Sequence, residues 1–342
     1  MTSKTFASDN YAGIHPTILQ AIINANTGHA QAYGADTYTQ NAIDLFKQQF
    51  GSDIDVYFVC TGTAANVLSL STILKPYHAI ICSNLAHINV DECGAAEHYI
   101  GSKLCSLATP DGKLTVNAIE AHLGDIGDQH RIQPKVISIT QSTELGTVYK
   151  PEEIKAITTF AHARNMYVHM DGARLSNAAA SLNLPLKAIT ADLGIDIATF
   201  GGTKNGMMLG EAVIFFNKEL SSDFKYIRKQ GMQLVSKMRF ISAQFTAMLS
   251  DDLWLRNAQH ANAMAQYLAQ SITSIPNLTI TRPVEANAVF VRLHPTLIEP
   301  LQKHSYFYVW DSSTCEVRWM TSWDTQKEDI QDFVAHIQEI VP

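Results

Sequence analysis

The stretch DIATFGGTKNG (residues 196–206) joins a short apolar strand to a glycine-rich turn that carries one lysine, Lys204. The predicted strand covers residues 195–200. Glycines on both sides of the lysine let the backbone adopt positive φ values and approach a bound group closely. Partial burial of such a lysine lowers the pKa of its amine and makes it a nucleophile toward a carbonyl. The pattern indicates a lysine that forms a Schiff base, with a solvated surface lysine as the alternative.

Predicted strands alternate with predicted helices around this stretch, which is typical of a mainly parallel sheet covered on both faces. In such folds the ligand lies at the carboxyl ends of the strands. The predicted strands cover residues 56–60, 79–82, 135–140, 166–170, 195–200 and 212–216. The residues that fall at these carboxyl ends, where the ligand is expected, are 61–63, 141–144, 171–174 and 201–204. After about residue 234, long helical patterns and then short strands predict a smaller α+β domain.

Asp171 follows the strand predicted at residues 166–170, in the run DGAR. One βα unit separates it from Lys204, so both side chains are expected in the same crevice. An acid in that position can hold the ring nitrogen of a pyridoxal phosphate protonated while the aldehyde of the cofactor is bonded to the lysine, which makes the ring an electron sink. The alternative is an Asp-Gly pair that only forms a turn.

A second strand end continues into Thr61, Gly62 and Thr63 and then into a helix with small residues in its first turn. The first free N–H groups of a helix and its dipole point toward one spot, so the segment is a candidate cradle for a phosphate. It matches neither a Walker A loop nor a G-x-G-x-x-G loop. An ordinary capped helix is the alternative.

His87 lies in the run AHINVDECGA, after another predicted strand. Its ring is suited to stacking on a cofactor face and to carrying a proton near neutral pH. A histidine that only satisfies a neighbouring polar group is the alternative. Asp91 and Cys93 lie nearby, but the spacing lacks the second matched pair of a zinc site, so we expect no metal.

Short motifs then occur in the order found in the threonine aldolases. They are SDN at residues 8–10, AYGAD at 32–36, TGTAAN at 61–66, AH at 86–87 before DECGA at 91–95, HMDGAR at 169–174, GGTKNG at 201–206 and VRWMTSWD at 317–324. The chain resembles the low-specificity L-threonine aldolases, pyridoxal-phosphate enzymes of the aspartate-aminotransferase fold, from about residue 6 to its end.

The resemblance implies a fold of type I. Its large α/β domain, which binds the cofactor, contains a mainly parallel seven-stranded sheet, and its smaller C-terminal domain is α+β. The expected division is an N-terminal arm at residues 1–15, which belongs to the small domain or to an interface, a large domain at 16–250 and a small domain at 251–342. The implied assembly is a homo-oligomer, a dimer or a tetramer, with active sites shared between subunits.

The resemblance also implies roles for individual residues. Lys204 forms the Schiff base, Asp171 pairs with the pyridine nitrogen, and His87 stacks on the ring. Gly62 and Thr63 bind the phosphate. Three further residues, which are Ser8, Arg174 and Arg318, grip the substrate carboxylate. Arg174 is also expected to bind the cofactor. The neighbouring subunit contributes Tyr33 to the substrate site and Arg239 to the cofactor site.

Glu144 departs from the family pattern, since many members carry a histidine at this position. A carboxylate there can accept the proton of the substrate β-hydroxyl, directly or through water. His87 or water alone are the alternatives, and Glu144 is then a solvated loop acid.

The implied reaction cleaves L-threonine, L-allo-threonine and related β-hydroxy-α-amino acids to glycine and an aldehyde. Phenylserine is the alternative main substrate. Other fold-type I activities, such as an aminotransferase or a β-eliminating lyase, would use Lys204 and Asp171 equally well. A non-catalytic ligand-binding or scaffold protein is a further alternative, although it has no need for those two residues together with Arg174 and Arg318.

Composition restricts the other partners. The chain of 342 residues has 32 acidic and 25 basic residues, a formal charge of -7, and no block of like charges, which argues against nucleic acid and anionic membranes. Its five cysteines lack C-x-x-C spacing, as is usual in a reducing compartment. The start of the chain lacks a signal-type apolar segment, and no run approaches the length of a membrane span. We therefore expect a cytoplasmic protein.

Overall fold

The computed structural model describes residues 4–341, and in that part of the chain seven strands form one large sheet. These strands are β1 (Asp55–Val59), β2 (His78–Ser83), β3 (Lys103–Leu107), β4 (Gln133–Thr140), β5 (Tyr167–Asp171), β6 (Ile197–Gly201) and β7 (Glu211–Phe215). Their spatial order is β1-β7-β6-β5-β4-β2-β3. β3 was not predicted, because its residues KLCSL lack a continuous apolar run and only Leu107 among them is buried.

Strand direction places the site at one edge of this sheet. β2 runs parallel to β3 and β4, and the pairs β4–β5 and β5–β6 are also parallel. Only β7 is reversed among the described strands of the sheet, and it pairs antiparallel with β1 and β6. The predicted mainly parallel sheet is therefore confirmed. The reversal also brings the first residue of β7, Glu211, level with Val59 and Gly201 at the carboxyl ends of its neighbours.

Helices cover both faces of the sheet. The helices of the described chain are α1 (Pro16–Ala25), α2 (Thr37–Phe50), α3 (Gly62–Ser71), α4 (His87–Val90), α5 (Ala95–Ile100), α6 (Val116–Glu120), α7 (Pro151–His162), α8 (Leu175–Leu182), α9 (Phe224–Gln230), α10 (Arg239–Leu249), α11 (Leu253–Ile272), α12 (Pro295–His304) and α13 (Lys327–Ile340). Successive residues of β7 alternate between the faces, so Ile214 packs in one core with α2 and α7, whereas Val213 packs in another with α3 and α9.

Helix α2 shows how the larger core is built behind the site. Asp36 caps the helix by accepting a 2.9 Å hydrogen bond from the N–H of Thr39. Its buried face then presents Phe46, whose ring lies 5.6 Å from that of Phe200 on β6 and 5.2 Å from that of Phe245 on α10. This aromatic packing supports the strand that leads directly into Lys204.

A second, antiparallel sheet forms the C-terminal part of the chain. Its strands are β8 (Thr279–Ile280), β9 (Ala288–Arg292), β10 (Tyr308–Asp311) and β11 (Glu316–Met320), in the order β10-β11-β9-β8. β10, like β3, was not predicted, and its side chains are largely exposed or half-buried. This sheet and α13 enclose a separate core that contains Trp319 and Phe333.

The N-terminal segment belongs to this second core. Phe6 is fully buried in it. The N–H of Phe6 donates to the carbonyl of Tyr306 at 2.8 Å, and its carbonyl accepts from the N–H of Met320 at 2.8 Å. We therefore propose that the arm predicted at residues 1–15 belongs with the small domain. The predicted bounds of the large domain, 16–250, and of the small domain, 251–342, stay predictions.

Replacing Phe46 by alanine is expected to lower the free energy of unfolding by about 3–5 kcal/mol, because it leaves a cavity among packed aromatic rings. Urea unfolding followed by intrinsic fluorescence measures the change. Gln48→Ala removes an exposed side chain from the same helix and serves as the control. A Phe46→Ala midpoint equal to that of Gln48→Ala would contradict the packing role.

Candidate active site

A cavity opens at the carboxyl edge of the large sheet, and it brings together residues from five segments that are distant in sequence. Its lining residues are Gly62, Asn66, His87, Glu92, Thr140, Ser142, Glu144, Asp171, Ala173, Arg174 and Lys204. The predicted residues Lys204, Asp171, His87, Glu144, Gly62 and Arg174 therefore share one site.

The turns that carry Asp171 and Lys204 touch through their backbones. The N–H of Gly201 donates to the carbonyl of Gly172 at 3.1 Å. A Cβ atom on Gly172 would lie 2.0 Å from the carbonyl oxygen of Thr199, and one on Gly201 would lie 2.4 Å from that of Ala173. Because neither contact is possible with a side chain, glycine is required at both positions for the two turns to meet.

Lys204 lies in a short 3-10 turn, Thr203–Asn205, directly after β6. Burial lowers the pKa of its amine, and the charge of Arg174 lowers it further, although the carboxylates of Asp9 and Asp171 act in the opposite direction. A depressed pKa increases the fraction of neutral amine, which is the nucleophilic form.

Asp171 is buried at the end of β5. Its Oδ1 accepts from the N–H of Ala173 at 2.9 Å, and its Oδ2 accepts from Nδ2 of Asn66 at 2.8 Å. Burial alone would raise the pKa of Asp171, but these two hydrogen bonds and the charge of Lys204 hold it below its ordinary value. The group therefore remains an anion, as a partner of a protonated ring nitrogen must.

His87 begins α4, and its Nδ1 lies 2.8 Å from Oε1 of Glu92. The hydrogen bond to Glu92 raises the pKa of His87 against the opposing effect of burial, and the charge of Asp171 adds to the increase. Sequence analysis did not assign a role to Glu92 or Asn66. Both lie inside the motifs DECGA and TGTAAN, but nothing in one sequence distinguishes them from their neighbours in those motifs.

Glu144 follows β4 and turns its carboxylate into the cavity. Its Oε1 accepts from the backbone N–H of His87 at 2.8 Å and from Oγ1 of Thr140 at 2.9 Å. Its Oε2 is buried and has no hydrogen-bond partner among the described residues. Burial, with the nearby charge of Asp171, raises the pKa of Glu144 to about 7. The alternative of a solvated loop acid does not fit this environment.

Glu211 is a further buried acid that sequence analysis missed. It accepts a 2.8 Å hydrogen bond from Oγ1 of Thr203, the residue before Lys204. Burial raises the pKa of Glu211 to about 7. An acid at the start of a reversed strand carried no signal, because its position depends on the antiparallel pairing of β7.

The two arginines differ in their surroundings. Nε and Nη2 of Arg174 donate to Oδ2 and Oδ1 of Asp9 at 2.7 and 2.8 Å, which is a bidentate ion pair. Arg318 lies on β11, where its Nη2 reaches the carbonyl of Ala7 only at 3.5 Å. Its Nε is buried without a partner in the described chain. Burial and the charge of Arg174 lower the pKa of Arg318 to about 10.

Aromatic rings and the N-terminal segment complete the surroundings of Arg318. Its guanidinium lies 5.1 Å from the ring centre of Trp310 and 5.9 Å from that of Tyr308. Ser8 does not line the cavity within the described residues. Its hydroxyl accepts from the N–H of Asn10 and so caps the turn that carries Asp9.

The predicted phosphate cradle is only partly in the cavity. Thr61 caps α3 by accepting from the N–H of Ala64 at 3.3 Å. Gly62 faces the cavity, and a Cβ atom there would meet nothing within 4 Å, so the space in front of the helix is open. Thr63 lines a neighbouring groove together with Tyr99 and Met232.

Tyr33 and Arg239 do not reach the cavity within residues 4–341 of one chain. Tyr33 is half exposed, and Nη1 of Arg239 donates to the carbonyls of Thr27 and Gly28 at 3.3 and 3.2 Å. Arg239 lines a separate surface pocket. Their contribution to the site of a neighbouring subunit stays a prediction.

No helix in residues 4–341 has the length and apolar character required to cross a bilayer. No three histidine, cysteine, aspartate or glutamate side chains of that segment are arranged to hold a metal ion.

Comparison with known proteins places the chain in a family. Residues 5–296 match the family model described as beta-eliminating lyase. A low specificity L-threonine aldolase from Pseudomonas sp. (strain NCIMB 10558) is 44% identical over 340 residues, which are 99% of this chain and 98% of that protein. The corresponding Pseudomonas aeruginosa protein is also 44% identical, over 100% of this chain and 99% of its own length.

Solved structures agree with this assignment. The structure of Leishmania major threonine aldolase superposes with a TM-score of 0.94 at 32% identity, and covers 99% of this chain and 100% of that chain. A putative L-allo-threonine aldolase from Listeria monocytogenes shares the fold, with a TM-score of 0.76 at 16% identity over 99% of this chain and 96% of that chain. The fold and family predicted from the motifs are thereby confirmed, and the chain belongs to the beta-eliminating lyase family, in its low-specificity L-threonine aldolase group.

Proposed function

We propose that this protein is a pyridoxal-phosphate-dependent aldolase that cleaves L-threonine, L-allo-threonine and related β-hydroxy-α-amino acids to glycine and an aldehyde. The observation that carries the proposal is the pairing of Lys204 and Asp171 in one cavity. An amine with a lowered pKa faces a buried acid that stays ionised, and this pair is what the cofactor requires.

The residues present fit the cofactor. Lys204 offers an amine for its aldehyde, Asp171 an acid for its ring nitrogen, and the open helix N-terminus at Gly62 a cradle for its phosphate. Several buried polar atoms around the cavity lack partners in the described chain, and these are Oδ1 of Asn66, Oε2 of Glu92, Oγ of Ser142 and Oε2 of Glu144. When bound, pyridoxal phosphate supplies an electron sink for the bond that is broken.

The remaining residues would bind and orient the substrate. Arg318 is not among the described residues that line the cavity, but it is close enough to Arg174, which does line it, for the two charges to interact. The donors of Arg318 are poorly satisfied, while the Nε and Nη2 donors of Arg174 are engaged by Asp9. We therefore assign the main share of carboxylate binding to Arg318. Arg174, with its Nη1 still available, has a secondary share, and Ser8 acts by placing Asp9.

Glu144 is our candidate for the group that accepts the proton of the substrate β-hydroxyl. Its Oε2 is unpartnered beside the cavity, and a pKa of about 7 suits a base that operates near neutral pH. His87, whose ring borders the same cavity, and water are the other candidates. The same proposal includes a homo-oligomer in which Tyr33 and Arg239 complete the site of a neighbouring chain.

Incubation with substrates tests the reaction. The protein with pyridoxal phosphate is expected to release glycine and aldehyde in equal amounts from L-threonine, L-allo-threonine or phenylserine, and not from the D-antipodes. Lys204→Ala should abolish this release. Borohydride should attach the cofactor irreversibly to the peptide that contains Lys204, as measured by mass spectrometry. Formation of a keto acid in place of glycine would assign the protein to another reaction of this fold.

Glu144→Gln is expected to lower kcat for aldol cleavage by about 10²-fold, as loss of a general base does, and to leave cofactor binding unchanged. For the native protein, kcat should rise with pH through about 7 as Glu144 loses its proton. Thr140→Val removes a hydrogen bond that stabilises the carboxylate and should move that rise to higher pH. Glu144→Gln should also shift the ratio of activities toward threo and erythro substrates. If kcat and this ratio were both unchanged in the variant, His87 or water would remain as the proton acceptor.

Arg318→Lys is expected to raise KM for amino acids by roughly tenfold, since lysine keeps the charge but cannot form the planar fork with a carboxylate. Arg292→Lys, an exposed substitution on the neighbouring strand β9, is the matched control. Steady-state kinetics at saturating cofactor measure both variants. Equal KM values in the two variants would place the substrate carboxylate elsewhere.

A further inference from the structure

We propose that Asn66 and Glu92 are positioning residues that tie His87 to Asp171 through one chain of hydrogen bonds. The use of this chain in catalysis rests on the proposed function, since His87 and Asp171 are the residues expected to contact the cofactor ring. The hydrogen bonds themselves are observed, and they join these two residues through Asn66 and Glu92, which had no predicted role.

The chain has three links. Nδ1 of His87 lies 2.8 Å from Oε1 of Glu92, the same oxygen accepts from Nδ2 of Asn66 at 3.0 Å, and Nδ2 of Asn66 also donates to Oδ2 of Asp171 at 2.8 Å. Asn66, Glu92 and Asp171 are exposed by only 2%, 4% and 7%. Water therefore competes little with these links, and each one fixes the next.

The Asn66 amide has one permitted orientation. Its two N–H groups serve two carboxylates, and a flipped amide would point its oxygen at both of them. In the observed orientation Oδ1 is buried without a partner in the described chain. An unsatisfied acceptor is tolerated here because both carboxylates need the donors.

Glu92 determines which nitrogen of His87 is available. A carboxylate oxygen accepts a hydrogen bond, so Nδ1 carries the hydrogen and Nε2 is left for the cavity. The charged groups that act on this ring are Glu92, Asp171 and Lys204, and the carboxylate of Glu144 binds its backbone N–H. Of these interactions, the hydrogen bond that His87 donates to Glu92 does most to raise the pKa of His87.

Asn66 also connects the chain to the phosphate cradle. It lies on α3, one turn after Gly62, which opens that helix toward the cavity. One rigid helix thus relates the anchor for the phosphate to the acid for the ring nitrogen and, through Glu92, to the residue that borders the ring. Motion of any one of them relative to the others would break a buried hydrogen bond.

Glu92→Gln tests the link to His87. The rate at which diethyl pyrocarbonate modifies His87, followed against pH by peptide mass spectrometry, gives the titration midpoint of the imidazole in the full-length protein. We expect Glu92→Gln to lower this midpoint by about one pH unit, because a neutral amide no longer favours the imidazolium. Glu97→Gln, an exposed change five residues further on, should leave it unaltered. A native midpoint in Glu92→Gln would overturn the proposal.

Asn66→Ala and Asn66→Asp test the link to Asp171. Both variants should weaken pyridoxal phosphate binding, measured by absorbance titration, by about tenfold or more. Neither should lower the titration midpoint of His87 as we expect Glu92→Gln to do. Asn66→Asp keeps the shape but adds a third carboxylate, so its loss of affinity should be greater at pH 8 than at pH 6. If it folds and binds the cofactor with native affinity at pH 8, the positioning role is excluded.

These readouts separate the two proposals, because neither requires a substrate. A lowered His87 midpoint in Glu92→Gln, in a protein that cleaves no β-hydroxy-α-amino acid, would support the hydrogen-bond chain and reject the aldolase assignment. An unchanged midpoint in that variant of an active aldolase would reject only the hydrogen-bond chain.

Discussion

The contact between two strand ends is the constraint on which the site depends. The Asp171 and Lys204 turns approach until backbone meets backbone at Gly172 and Gly201. A methyl group at either glycine would force the turns apart and with them the acid and the amine. Because Gly172 directly follows β5 and Gly201 is the last residue of the parallel neighbour β6, the separation of these two groups is set by rigid elements and depends little on side-chain rotamers.

The charge of each buried acid near the cavity depends on whether it has a cationic partner. Asp9 has a bidentate partner in Arg174, and its pKa lies below the ordinary value although burial opposes this. Within the described residues Glu144 and Glu211 have hydroxyl donors but no ion pair, and burial raises the pKa of each to about 7. Glu144 in the cavity lining and Glu211 beside the Lys204 turn can therefore change their charge near neutrality, while the ion pair and Asp171 keep theirs.

Site residues that stand at the end of a single recognisable strand could be predicted from the sequence. Lys204 and Asp171 stand after apolar runs that can be recognised locally, and parallel pairing is enough to bring them together. Asn66 and Glu92 could not be assigned in this way, since their roles arise from contacts between α3 and the segment after α4. The ion pair of Arg174 and Asp9 joins residues 165 positions apart. The strands β3 and β10 were missed because their sequences lack buried apolar runs.

The attachment of the N-terminal segment has a consequence for synthesis of the chain. Phe6 is held by backbone hydrogen bonds to Tyr306 and Met320, and three residues later Asp9 supplies the carboxylate that fixes Arg174. Residues 6–9 are synthesised long before the strand that ends at Met320, and they have no docking place until that strand has left the ribosome. The contacts of Phe6 with Tyr306 and Met320 also join residues that are about 300 positions apart in sequence, and such contacts are slow to form. The large sheet can thus assemble during translation, while the pocket stays unfinished until the strand that ends at Met320 has emerged.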